Sequence, residues 1–232
     1  MTKTGFRYHT ICMFQVVLII WNLLGVSACL SKSKPPDLTP ELSGKETILV
    51  LPFRNLTKET DAGGIVRCPG CGTAFLSGEV LKTAGRLLTT HLLSFLRNNT
   101  SLILVTAHQP TITPSEPLSQ SPNAVTEREA LMTAGRTAKT DMVLAGYIFR
   151  FKQRIGTQYS VQSPASVAFG LHLINTDLGV SLWEGHYDET QQSLSENLFG
   201  LPKFIKRKWK WITAEEMAIS GLQKMLETFP TP

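Results

Sequence analysis

Residues 47–53, Thr47-Ile48-Leu49-Val50-Leu51-Pro52-Phe53, read TILVLPF: β-branched, and apolar on both faces. A short unbroken apolar run predicts a central strand buried on both sides of a sheet, and Pro52 marks its exit. Arg54 to Thr57 reads as a turn. A loop from Thr60 to Gly78 follows and holds Cys68-Pro69-Gly70-Cys71. In Glu79 to Leu96, residues Val80, Leu81, Ala84, Leu87, Leu88, Leu92, Phe95 and Leu96 recur at three- and four-residue spacing. This stripe predicts a helix, with Ser77 as its N-cap and Asn98 and Asn99 closing it in a left-handed conformation. Leu102 to Ala107 is a second short strand.

Pro110, Pro114, Pro117 and Pro122 interrupt residues 109–124, so that stretch is a surface loop. Thr126 and Glu129 form a capping box that opens a helix to about Lys139. The small face of that helix, Ala130, Leu131, Ala134 and Ala138, suits close packing on a sheet. Three strands are expected next, over Met142–Lys152, Ala165–Asn175 and Val180–Asp188. The middle one places Ala165, Val167, Phe169, Leu171 and Leu173 on one face and Ser166, Ala168, Gly170 and His172 on the other. Thr176 to Gly179 is the hairpin turn between the last two strands. Thr213 with Glu216 caps a final helix, whose Met217, Leu222, Met225, Leu226 and Phe229 face inward. Helical crossovers favour parallel pairing early in the chain, and the hairpin favours an antiparallel edge late. The expectation is an α/β fold: one domain over residues 46–230, with a mixed β-sheet of about five strands and helices packed on it.

Upstream, Lys3 and Arg7 precede an uncharged run from Tyr8 to Ala28, with the shape of an export signal. Val26-Ser27-Ala28-Cys29 resembles the bacterial lipobox, which makes Cys29 the expected lipidation site and residues 1–28 the signal peptide. A cleaved secretory signal and a retained anchor are the alternatives, since a span needs ~20 apolar residues; Gln15 and Asn22 interrupt the run. Two or more acyl chains give stable anchoring. Leu30 stands where inner-membrane retention uses Asp, which by resemblance favours the outer membrane. Residues 29–45, with Lys32, Lys34, Pro35, Pro36 and Pro40, read as a lipidated start and flexible tether. Loss of residues 1–28 leaves 204 of 232 residues and lowers the net charge from +5 to +3, because only Lys3 and Arg7 go with them. That balance gives no reason to expect nucleic acid.

Ile48 to Asn55 (ILVLPFRN), Ala134-Gly135, Thr140 to Gly146 (TDMVLAG) and Asp177 to Trp183 (DLGVSLW) resemble a group of bacterial envelope lipoproteins. The group includes the relatives of the curli secretion-channel lipoprotein and of the lipoprotein that activates a penicillin-binding protein. The resemblance covers most of residues 47–190 and implies an α/β periplasmic module with a strand ending in Pro-Phe. Thr140 stands where that group usually has Ala. These motifs are structural, so fold transfers on them better than function.

Three sites carry candidate chemistry. Cys68 and Cys71 are the only cysteines after Cys29. A small structural disulfide is the first expectation for an exported domain. A metal site, including one shared between two chains, and redox chemistry are the alternatives. A zinc ribbon needs a second CxxC or CxxH, and none is present. The histidines are His9, His91, His108, His172 and His186. His172 and His186 can approach across the hairpin, but no carboxylate stands at ligand spacing, and all five read as satisfied or solvated. Lys203 to Trp211, KFIKRKWKW, packs five cations and three aromatics into nine residues. Lys206, Arg207, Lys208, Trp209, Lys210 and Trp211 are therefore candidates for contact with an anionic surface, lipid or peptidoglycan. The competing reading is a solvated connector.

No GxSxG, P-loop, GxGxxG or HExxH is present, and no cofactor is expected. The function expected is that of a non-enzymatic binding or assembly factor. It would be lipid-anchored in the cell envelope at the outer membrane, facing the periplasm, with an envelope protein as partner. A subunit of a curli-type secretion channel and a CxxC-dependent metal or redox protein are the alternatives.

Overall fold

The computed structural model describes residues 44–57, 63–106, 126–192 and 211–230. The signal, Cys29, the Pro-rich loop and Lys206 to Lys210 lie outside the described residues. All described residues fall in the compact unit Thr39–Pro232, and none of their helices is long and apolar enough to cross a membrane.

The opening stretch is strand β1 (Thr47–Val50), with Ile48, Leu49 and Val50 buried. Beyond Pro52 the chain continues as β2 (Arg54–Asn55). The helix predicted from residue 79 is α1 (Ala84–Asn99) and begins five residues later than that. Residues 78–81 are taken by the sheet instead: Gly78 N–H donates to Phe149 O, Phe151 N–H to Glu79 O and Leu81 N–H to Phe151 O. Ser77 does not cap the helix, whose N-cap is Thr83; its backbone joins Gly64 and Gly63 at the end of a hairpin. The C-terminus differs too. Asn99 stays helical, with Nδ2 bonded back to Phe95 O, and an extended Thr100 ends the helix by donating its N–H and hydroxyl to Leu96 O.

Strand β5 (Ile103–Thr106) follows the helix. Helix α2 (Glu127–Ala138) opens with the expected capping box. Strands β6 (Met142–Lys152), β9 (Ser166–Asn175) and β10 (Ser181–Thr190) form the meander, and helix α3 (Ala214–Leu226) carries the second capping box. Two small hairpins stand apart: β3 (Ile65–Arg67) with β4 (Ala74–Leu76), and β7 (Ile155–Gly156) with β8 (Val161–Ser163).

The main sheet runs β10-β9-β6-β1-β5, with β2 also on β6. β1 is parallel to both β5 and β6, while β6–β9 and β9–β10 are antiparallel. This is the mixed α/β sheet expected. Helices α1 and α3 cover one face through Leu88, Leu92, Leu96, Met217 and Leu222, packed on Phe169, Leu171 and Leu173. Each such leucine contributes about 1.5–3 kcal/mol by leaving water. The other face carries Val143, Ala145, Tyr147, Phe149 and Ala168 and meets α2 through Leu131. The β3–β4 hairpin also lies on this second face, through Cys68 and Phe75.

Candidate metal centre

The β3–β4 hairpin is held on the sheet by stacking and by a buried cation. Phe75 stacks on Phe149 with ring centroids 4.0 Å apart and planes 4° from parallel. A register shift in β6 between Ile148 and Arg150 lets both Phe149 and Arg150 face the hairpin; an extra residue of this kind re-aims side chains. Arg150 is buried. Its Nη1 donates to Leu76 O at 2.7 Å, its Nε to Ser166 Oγ, and its Nη2 to Asp188.

The tip of that hairpin is the CPGC loop. Cys68 N–H donates to Thr73 O and Gly72 N–H to Cys68 O, each at 2.8 Å, which folds residues 68–73 into a tight knuckle. Inside it the Cys68 sulfur accepts from the backbone N–H groups of Cys71 and Gly70. Both thiols are free, Cys68 buried and Cys71 half-buried.

The knuckle sits over two histidines from the meander. His172 on β9 pairs with Glu184 on β10, and His186 pairs with Gly170. Both imidazoles rise from the same face because residues two apart on a strand share a side. Gly170 leaves the room between them: a Cβ there would lie 3.1 Å from His186 Cδ2 and 3.6 Å from His172 Nε2. His172 Nε2 lies 3.0 Å from Cys68 Sγ, and His186 Nε2 lies 3.2 Å from Cys71 Sγ. One ligand atom from each of Cys68, Cys71, His172 and His186 lies within 4.8 Å of all the others. Around a tetrahedral zinc such atoms stand ~3.3–3.8 Å apart. The four residues therefore fit an ion once the widest pair of ligand atoms closes by about 1 Å, which side-chain rotation can supply.

Charge favours the same use. Burial, and then neighbouring His186, lowers His172 to about 4, so its imidazole is neutral at pH 7. Burial pushes the Cys68 thiol up to about 12, partly offset by the N–H groups of Cys71 and Gly70. Cys68 thus keeps its proton until a cation displaces it. The inner pair, Cys68 and His172, is each 1% exposed, whereas His186 faces solvent. Behind His172, Tyr147 lies with its ring 5.7 Å away. Its hydroxyl donates to Glu127 at 2.8 Å, and Arg54 donates to the same oxygen at 2.6 Å.

The structure joins Cys68 and Cys71 to two histidines that by sequence read as satisfied or solvated. The missing CxxH is split between two antiparallel strands, so no spacing reveals it. The legible trace is Gly170-Leu171-His172 beside Gly185-His186: a glycine stands one or two residues before each histidine of the hairpin. A carboxylate does stand beside the histidines: Glu184, whose Oε2 lies 3.8 Å from His172 Nδ1. Of the basic aromatic stretch only Trp211 is described, with its N–H donating to Gln158 O at 2.9 Å.

No family model matches this sequence, and no curated protein matches it. Among solved structures the chain is similar to the PelC dodecamer from Paraburkholderia phytofirmans, at 14% identity and a TM-score of 0.49 over 84% of this chain and 94% of that one. It is also similar to the lipoprotein GNA1162 from Neisseria meningitidis, at 14% identity and 0.37 over 70% and 95%. The LpoB C-terminal domain from Salmonella enterica matches at 15% identity and 0.36 over 63% and 84%. At this distance no activity or partner passes from them to this chain.

Proposed function

We propose that this chain is a non-enzymatic protein of the cell envelope, built around a structural metal centre of Cys68, Cys71, His172 and His186. The observation that carries the reading is the approach of these four ligand atoms to within 4.8 Å from two segments far apart in sequence. Two thiolates and two neutral imidazoles suit zinc, a borderline-soft ion that takes four protein ligands in closed, structural sites. With all four positions supplied by the protein, no place remains for a substrate. The ion would tie the tip of the β3–β4 hairpin to β9 and β10. Lipid on Cys29 would hold the domain at the membrane, where it would bind or help assemble an envelope protein. Lys206 to Trp211 would add contact with an anionic surface.

The sulfurs of Cys68 and Cys71 also lie close enough to interact with each other, which favours a disulfide as the second reading. Metal content and thiol trapping on protein purified from its own envelope separate the two. We expect about one zinc per chain, lost in Cys68→Ser and His186→Ala, and two thiols that become reactive on chelation. A metal-free protein with Cys68 and Cys71 oxidised to one another would replace the metal reading by the disulfide.

A further inference from the structure

The metal reading leaves one atom unaccounted for. His172 is 1% exposed, and its Nδ1 is one of four buried side-chain polar atoms that lack a hydrogen-bond partner among the described residues. A buried polar group without a partner costs roughly 1–3 kcal/mol, so it calls for an explanation. The ring cannot swing to find one elsewhere. A Cβ on Gly70 would lie 2.8 Å from His172 Cγ, so the knuckle backbone presses on that face, while Nε2 points at Cys68 Sγ. With Nε2 at the sulfurs, Nδ1 points outward to β10, where Glu184 is the direct cross-strand partner of His172. Glu184 Oε2 is 3.8 Å away, and its side chain is half exposed and free to close the remaining distance.

Resting on the metal reading above, we propose that Glu184 is the positioning residue of this centre, accepting the Nδ1 proton of His172 so that Nε2 faces the ion. The proton and the lone pair of a neutral imidazole sit on opposite nitrogens, and which tautomer is present depends on the partner of the proton. A carboxylate at Nδ1 fixes the hydrogen there, leaves the Nε2 lone pair free and raises the basicity of the ligand. It also places one negative charge beside a ligand set that is neutral overall: two thiolates, two imidazoles and a divalent cation. Ion binding draws Nε2 toward the centre of the four ligands and increases the acidity of Nδ1–H. The 3.8 Å gap then shortens to a hydrogen bond, as contacts around a ligand do when the ligand arrives. Glu184 therefore acts through His172 and never touches the ion.

The test is competition for Zn2+ against a chromophoric chelator, with Co2+ absorption as a reporter of the ligand set, on the full-length protein in detergent. Glu184→Ala is expected to weaken Zn2+ binding by about 10–100-fold, with one ion per chain and the two-sulfur Co2+ spectrum kept. Glu184→Gln keeps an acceptor oxygen without the charge, and should recover part of the loss. Asp177→Ala, an exposed acid on the turn joining β9 and β10, serves as control and should bind like wild type. Wild-type affinity in Glu184→Ala would overturn this proposal and leave the metal centre standing. An equal loss in Glu184→Ala and Glu184→Gln would overturn the acceptor role, even if the alanine variant were poorly folded. A wild-type protein that binds neither ion would overturn this proposal and the metal reading together.

Discussion

Single residues on the sheet face beneath the candidate metal centre answer for more than one interaction. Tyr147 shows how. Its hydroxyl is buried against Glu127, and burial first, then the Glu127 charge, raises its pKa well above the usual tyrosine value of 10. A group with a raised folded pKa contributes stability that is present below its unfolded pKa and is lost as pH rises beyond it. The unfolded chain ionises this tyrosine near pH 10 and the folded chain does not. Tyr147→Phe should therefore cost about 1.5 kcal/mol at pH 7, where the hydrogen bond to a charged group is removed. It should also flatten the fall in stability above pH 10. Urea unfolding at pH 7 and pH 10.5 measures both, and an unchanged alkaline slope in Tyr147→Phe would contradict the assignment.

At the scale of elements, the β3–β4 hairpin matters most, because it delivers both cysteines. It pairs with no strand of the main sheet. Arg150, Phe75 and the proposed ion are what fasten it. Arg150→Met keeps the length and apolar stem but loses the bonds to Leu76 O, Ser166 and Asp188. Amide exchange across residues 63–78 should then speed at least tenfold, while α1 keeps its protection; equal loss of protection in both would make Arg150 a support of the whole domain instead. This hairpin is also the part of the fold least legible in the sequence. The apolar run of TILVLPF, the two capping boxes and the 165–175 alternation were legible because each signal lies within one element. The start of α1 was not, because its stripe of Val80 and Leu81 is also apolar where the chain runs beside Phe151. The candidate metal centre was half legible: CPGC announces itself, whereas His172 and His186 come within reach of it only through the register of β9 on β10 and the placement of a separate hairpin above them.

For the molecule as a whole, the open question is how it is held in place, and two attachments are proposed, at Cys29 and at the cations from Lys206 to Lys210. They differ in salt response. An acylated cysteine binds through buried hydrocarbon, whereas lysines attract anionic lipid at about 1 kcal/mol each, over a Debye length of ~8–10 Å at ordinary salt. Wild type should pellet with membranes at both 0.05 M and about 0.5 M salt and incorporate labelled palmitate. Cys29→Ala should lose the label and leave the membrane at high salt, and replacing Lys206, Arg207, Lys208 and Lys210 by Gln in that variant should release it at low salt too. Equal palmitate labelling of wild type and Cys29→Ala would remove the anchor. A different consequence attaches to the spread of the four ligands along the chain. Cys68 and His172 are 104 residues apart, so whatever joins them closes a very long loop, and such closures come late in folding. In a chain that emerges from its N-terminus, the CPGC knuckle would wait with reactive sulfurs until the β9–β10 hairpin arrives. Ion capture would then mark the moment at which the two halves of the sequence have found each other: a chain truncated before residue 172 would carry both cysteines and neither histidine to close them on.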